Sequence, residues 1–167
     1  MQLNILLLLC FMVQNTLYIL ALSGGILPVS AVFANDEVMM CIKPGEHGST
    51  YGGNPLACMV AMESLQVLID EKMAENSEYL GKIVREELRK LPNDLVTIVR
   101  GKGLMNAMVI NPKFDAWNVC VKLAENGLLA KPTRGDTIRF TPPLCITEDE
   151  LRQCLEIIKT TVLSFQN

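Results

Sequence analysis

The chain has 167 residues, half hydrophobic and a fifth charged, which is enough for about one domain with a real core and excludes a disordered tail. A formal net charge of −3 without any run of Lys or Arg gives nucleic acid no electrostatic footprint. With one histidine, His47, and six cysteines lacking a C-x-x-C pair, no metal site and no His-dependent hydrolytic triad is expected. The cysteines read as small core hydrophobes of a reduced compartment.

No charged residue precedes Asp36. Met1 to Leu22 is rich in Leu and Ile, but its longest unbroken apolar run is Ile5–Val13, shorter than the ~20 residues of a membrane-spanning helix. It also lacks the basic flank of a secretory signal and the arginines of a mitochondrial transit peptide. The favoured reading is a divergent N-terminus joined to a soluble domain, with a membrane anchor as the alternative.

Ser23-Gly24-Gly25 marks a turn, and Ile26–Phe33 reads as a buried strand broken by Pro28. Val38–Ile42 is expected to make a helical turn. From Lys43 to Pro55 the chain carries four glycines, Ser49, Thr50 and Tyr51, and ends on Asn54-Pro55, an N-cap followed by a residue suited to the first helical position. This glycine-rich loop opens a helix over Pro55–Ile69. A second helix, Met73–Leu91, places Tyr79, Leu80, Ile83, Val84, Leu88 and Leu91 on one apolar face.

Leu95–Val99 and Leu104–Ile110 read as strands around Gly101-Lys102-Gly103. Phe114–Asn126 reads as a helix with Trp117, Val121 and Ala124 on one side and Gly127 as its stop. Leu128–Lys131 and Thr137–Thr141 flank a turn at Thr133-Arg134-Gly135-Asp136. Thr147 and Glu150 form a capping box for a last helix whose core side carries Leu151, Leu155, Ile158, Val162 and Phe165. Helices interspersed with strands indicate a mixed fold in which helices cover a sheet.

Two features point to chemistry. The glycine-rich loop can bring backbone N–H groups close to an anion, and Ser49 and Thr50 add hydroxyl donors for phosphate oxygens; the alternative is a loop that only turns tightly. Arg139 stands inside the apolar strand Ile138-Arg139-Phe140, where a guanidinium suits bidentate capture of a carboxylate. A strand-edge Arg reaching solvent is the alternative. Lys131-Pro132 could line the same face as Arg139, although nothing in the sequence specifies it.

Residues 21–167 resemble the C-terminal third of the ornithine aminotransferases, pyridoxal-phosphate enzymes of fold-type I and aminotransferase class III. The segments that carry the resemblance are Ala21–Gly25, Pro28–Val32, Ile42–Pro55 (IKPGEHGSTYGGNP), Val99–Leu104, Asn126–Pro132 (NGLLAKP) and Ile138–Leu144 (IRFTPPL). The resemblance implies an α/β and α+β fold: the end of the large cofactor-binding domain over 21–72 and the small C-terminal α+β domain over 73–167, after a divergent apolar stretch 1–20. It implies transfer of the δ-amino group of ornithine, through pyridoxal phosphate, to 2-oxoglutarate, giving glutamate semialdehyde and glutamate.

Carried over by position, Ser49 and Thr50 contact the cofactor phosphate across a dimer interface, and Arg139 takes a substrate carboxylate. The lysine that forms the family's Schiff base falls at Leu20, which has no amine, so no catalytic residue is assigned and the chain alone is expected to be inactive. Related alternatives are a piece of an acetylornithine or 4-aminobutyrate aminotransferase, or a non-catalytic chain that pairs with a full-length subunit. The resemblance also implies a homo-oligomer, or pairing with a full-length subunit, and amino-acid and 2-oxo-acid substrates; charge and histidine count give no nucleic acid and no metal, and a membrane partner is not favoured. It implies the mitochondrial matrix, with the cytoplasm as the alternative.

Overall fold

In the computed structural model, residues 9–13, 16–20 and 22–166 are described, and they divide into two compact units, Met1–Glu71 and Lys72–Asn167. The remaining positions of the N-terminal segment lie outside the described residues. No helix of the described residues is long and apolar enough to cross a membrane.

In the first unit β1 (Leu9–Val13), β2 (Thr16–Leu20) and β3 (Ala31–Ala34) form an antiparallel sheet in chain order, with Leu17 opposite Phe33 and Tyr18 opposite Val32. The strand expected over Ile26–Phe33 is therefore only its last part, extended by one residue. Before it, Gly24 and Gly25 adopt left-handed φ values of 63° and 87°. The buried hydroxyl of Ser23 bonds the backbone of Leu27, which holds the chain in a turn until past Pro28. The helical turn α1 (Asp36–Met39) starts earlier than Val38 because Asn35 caps it. Helix α2 (Pro55–Asp70) begins where Asn54 accepts the amide of Ala57. Ala57, Ala61 and Ser64 make its buried stripe, while Leu56, Met59, Met62 and Ile69 are each more than 60% exposed.

The second unit runs α3 (Met73–Leu88), β4 (Val96–Lys102), β5 (Met105–Ile110), α4 (Ala116–Glu125), β6 (Lys131–Thr133), β7 (Thr137–Phe140) and α5 (Glu148–Leu163). Its sheet has the order β4-β5-β7-β6 with every neighbouring pair antiparallel. β5 alternates strictly, with Asn106, Met108 and Ile110 buried, and β7 continues that face with Ile138 and Phe140. Helices α3, α4 and α5 cover it, so that Leu80, Val84, Leu88, Leu123, Leu151, Leu155 and Ile158 complete one core. The opposite face is open and carries Arg139.

Several elements differ from the sequence expectation for visible reasons. The face of α4 bearing Trp117, Val121 and Ala124 is the solvent side; Ala116, Val119, Cys120 and Leu123 are the buried ones. After Gly127 at φ 92°, the amide of Leu128 turns back to the carbonyl of Leu123. Residues 128–130 are thereby kept out of the ladder, and β6 starts only at Lys131. Nor are the cysteines uniformly core residues: Cys41, Cys58 and Cys145 are exposed, Cys154 is half-buried and Cys120 is buried. Phe165 follows α5 and packs edge-on against Phe114 with 6.3 Å between ring centres.

Tyr79 departs from the apolar face assigned to it and lies 55% exposed, where its hydroxyl donates to Glu148 at 2.7 Å and ties α3 to the start of α5. This bond, together with Arg152, lowers the Glu148 carboxyl below its ordinary value of 4.5, and it raises the Tyr79 phenol above 10.0. The lowered carboxyl contributes stability present above pH 4.5 and lost as pH falls through its folded value. The raised phenol contributes stability present below pH 10.0 and lost as pH rises through its folded value. Tyr79→Phe should therefore soften both the acid and the alkaline edges of the stability profile. The acid edge should persist in part, because Arg152 still pairs with Glu148 at its Nε and Nη2. Urea midpoints measured from pH 3 to 11 would check this, and superimposable profiles would contradict it.

Candidate functional site

A cavity of about 480 Å³ opens in the second unit at the end of the sheet where β6 and β7 part. The pairing ends at Lys131 opposite Arg139. Beyond it, Pro142 and Pro143 have no N–H to continue a ladder, and Leu128–Ala130 are held by the turn after α4. The gap between these two diverging segments is floored by Leu151, Cys154, Leu155 and Ile158 of α5 and by Val84 and Asn106. Its walls are apolar and its mouth carries Lys131, Thr133 and Arg139.

Arg139 is exposed on the open face of the sheet, so the apolar neighbours Ile138 and Phe140 point the other way and its guanidinium bears no burial cost. No carboxylate of the described residues pairs with it. A planar cation of this kind, at the rim of an apolar cavity, fits a ligand that joins a carboxylate to a short carbon chain.

Behind the cavity lies a polar network that sequence reasoning missed. Ser77, Gly81 and Arg85 stand four residues apart on α3 and face the β4–β5 turn. The Ser77 hydroxyl accepts the amide of Leu104 at 2.9 Å. Arg85 donates from Nη1 to the carbonyl of Gly103 and to Oδ1 of Asn106, each at 3.0 Å, and Asn106 Nδ2 donates to the same carbonyl at 3.0 Å. Asn106 is 1% exposed, so this arrangement satisfies a buried amide that also forms part of the cavity floor. Its one sequence signal is the Ser-x3-Gly-x3-Arg spacing, which lies beside the apolar stripe and is hidden by it.

Ser49 and Thr50 stand in the first unit, on the exposed loop that precedes α2. The Ser49 hydroxyl accepts the amide of Gly52 at 2.8 Å, which folds the loop and leaves the O–H free to donate outward. A Cβ added at Gly45, Gly48 or Gly53 would meet no atom within 4 Å, so the loop borders open space. Two hydroxyls on an open glycine-rich turn fit the phosphate end of pyridoxal phosphate. Leu20, the last residue of β2, carries no side-chain amine that could form an imine. No group of three or more His, Cys, Asp or Glu able to hold a metal ion occurs among the described residues.

The family model for aminotransferase class-III matches residues 16–162, and the chain belongs to that family. The match takes in Leu20 and the rest of β2, ahead of Ala21 where the sequence resemblance was placed. The class-III enzymes depend on pyridoxal phosphate. Among individual relatives, the chain is 65% identical over 144 residues to the mitochondrial ornithine aminotransferase of Drosophila melanogaster, covering 86% of this chain and 33% of that protein. The rat mitochondrial ornithine aminotransferase is 61% identical over 147 residues, covering 87% of this chain and 34% of the relative. The chain thus spans about a third of the length of these relatives.

Solved structures of aminotransferases share its fold. The ornithine aminotransferase of Plasmodium yoelii superposes with a TM-score of 0.85 at 50% identity, over 90% of this chain and 41% of that one. The acetylornithine aminotransferase of Elizabethkingia anophelis gives 0.83 at 55% identity over the same shares.

Proposed function

We propose that this chain carries the substrate-carboxylate site and the cofactor-phosphate loop of an ornithine aminotransferase, and that it does not transaminate by itself. The observation that carries the first part is Arg139, unpaired among the described residues at the mouth of an apolar cavity. In this reading Arg139 binds a carboxylate of the glutamate/2-oxoglutarate pair, and Ser49 and Thr50 hold the phosphate of pyridoxal phosphate across the interface of an oligomer. The cofactor supplies the electron sink for amino-group transfer when bound. The second part rests on Leu20, whose side chain has no amine to hold the cofactor covalently or to relay a proton. In this reading the reaction runs in the mitochondrial matrix, where ornithine and 2-oxoglutarate give glutamate semialdehyde and glutamate; the relatives whose names carry 'mitochondrial' support that location.

The test is a titration of the whole chain with 2-oxoglutarate, followed by backbone amide shifts in β6 and β7. Arg139→Gln should weaken binding by at least about tenfold, the loss of a charge-assisted bidentate contact. Unchanged binding would remove Arg139 from the role. Incubated with pyridoxal phosphate, ornithine and 2-oxoglutarate, the chain should yield no glutamate semialdehyde; turnover in a preparation free of longer enzyme would overturn the second part.

The exposed row Leu56, Met59, Met62 and Ile69 on α2 favours a companion reading, in which the chain pairs with a longer subunit of its family through that helix. Co-purification lost on Met59→Lys would support it, and a strictly monomeric chain in the presence of the longer subunit would exclude it.

A further inference from the structure

We infer that Lys131 is a second anion-binding residue of the cavity, gripping the same carboxylate as Arg139; this rests on the carboxylate reading of Arg139 given above. Lys131 and Arg139 are directly opposed across the β6–β7 ladder, and both line the cavity mouth. Opposed residues of an antiparallel pair point to the same face, with Cβ atoms roughly 5 Å apart. Pro132, which separates Lys131 from Thr133, presents its ring on the core side, so the two cations share the open face without an intervening side chain of β6.

Like charges placed directly opposite destabilise a ladder. Neither has an ion-pair partner among the carboxylates of the described residues. The carboxylate at the other end of this hairpin, Asp136, accepts the hydroxyl of Thr137. An anion seated between the two cations turns their repulsion into a shared attraction. The planar guanidinium supplies direction through two parallel N–H donors, and the compact ammonium supplies charge from the side.

This arrangement has a double signature that a purely structural lysine lacks. Without ligand, Lys131→Gln should leave the melting temperature unchanged or raise it, because a repulsive pair is removed. With ligand, the same variant should bind 2-oxoglutarate roughly fivefold more weakly, the scale of an exposed charge interaction. Lys131→Arg should restore most of the affinity.

The experiment is the 2-oxoglutarate titration of the whole chain, run on the unaltered protein, Lys131→Gln, Lys131→Arg and Arg139→Gln, with thermal melts of each in the absence of ligand. Weaker binding in both Gln variants, with no loss of melting temperature in Lys131→Gln, supports the inference. Weaker binding in Arg139→Gln alone overturns the role of Lys131 and leaves that of Arg139 standing. Equal affinity in all four proteins, or no binding by the unaltered chain, removes both. A melting temperature lowered in Lys131→Gln, without rescue of affinity by Lys131→Arg, makes Lys131 a structural residue and overturns the inference.

Discussion

Gly81→Ala is expected to lower the stability of the second unit by about 3 kcal/mol, although Ala is favoured over Gly inside a helix by ~1 kcal/mol. Gly81 is buried on α3, and a Cβ there would fall well inside van der Waals distance of the carbonyl of Gly103. The obstacle is backbone, so no rotamer change relieves it. Gly103 itself sits at φ 53° in the turn between β4 and β5, and its carbonyl already accepts Arg85 and Asn106. Moving α3 away to make room would stretch the bonds of Arg85 to Gly103 and to Asn106 and the one from Leu104 to Ser77. Urea unfolding followed through Trp117, the only tryptophan and a member of the second unit, would measure the loss. Gly48→Ala is the control, because its Cβ would meet nothing within 4 Å. Equal midpoints for the two variants would show that the close approach is not needed.

Asn106→Ala should cost a comparable amount, about 2.5 kcal/mol. The amide bridges Arg85 and the carbonyl of Gly103, and its removal deprives a part-buried guanidinium of one of its two acceptors. It also leaves a hole in the floor of the cavity. A double-mutant cycle with Arg85→Ala separates the two effects. A coupling energy of about 1 kcal/mol or more is expected for partners in one network, and strict additivity would mean that Asn106 acts through its volume alone.

The sequence was most legible where one local rule decides the outcome. Asn54-Pro55 opened α2 as read, and Thr147 with Glu150 formed the capping box of α5. β7 ended one residue before the expected Thr141, ahead of its two prolines. It was least legible where a face had to be chosen. Trp117 and Val121 are apolar and helically spaced, but the sheet under α4 is met by Val119, Cys120 and Leu123 instead. Tyr79 follows the apolar period of α3 but is drawn off by a carboxylate 69 residues away. For the site, the glycine-rich setting of Ser49 and Thr50 and the apolar strand around Arg139 marked these three as candidates. The opposition of Lys131 to Arg139 depends on the register of a three-residue strand that begins later than its apolar neighbours indicate. The contacts of Asn106 depend on an α3 stripe whose members are individually unremarkable.

The order of strands in the second unit also sets a sequence of events in time. β4 and β5 are joined by Gly103 and Leu104 alone, so their ladder closes over a minimal loop. β7 reaches β5 only after residues 111–136, with α4 among them, have been gathered in, and loop-closure entropy makes such distant pairing the slower event. The cavity exists only once that second pairing is made, because its floor belongs to α3, β5 and α5 while its mouth belongs to β6 and β7. During refolding, pulse-labelled amides of Val99 and Met108 should therefore gain protection before those of Ile138 and Phe140. Simultaneous protection would mean that the whole sheet condenses in one step. On the expected order, the second unit acquires its cavity only at the end of its folding, and a partly folded population would lack that cavity while still showing most of its native helix.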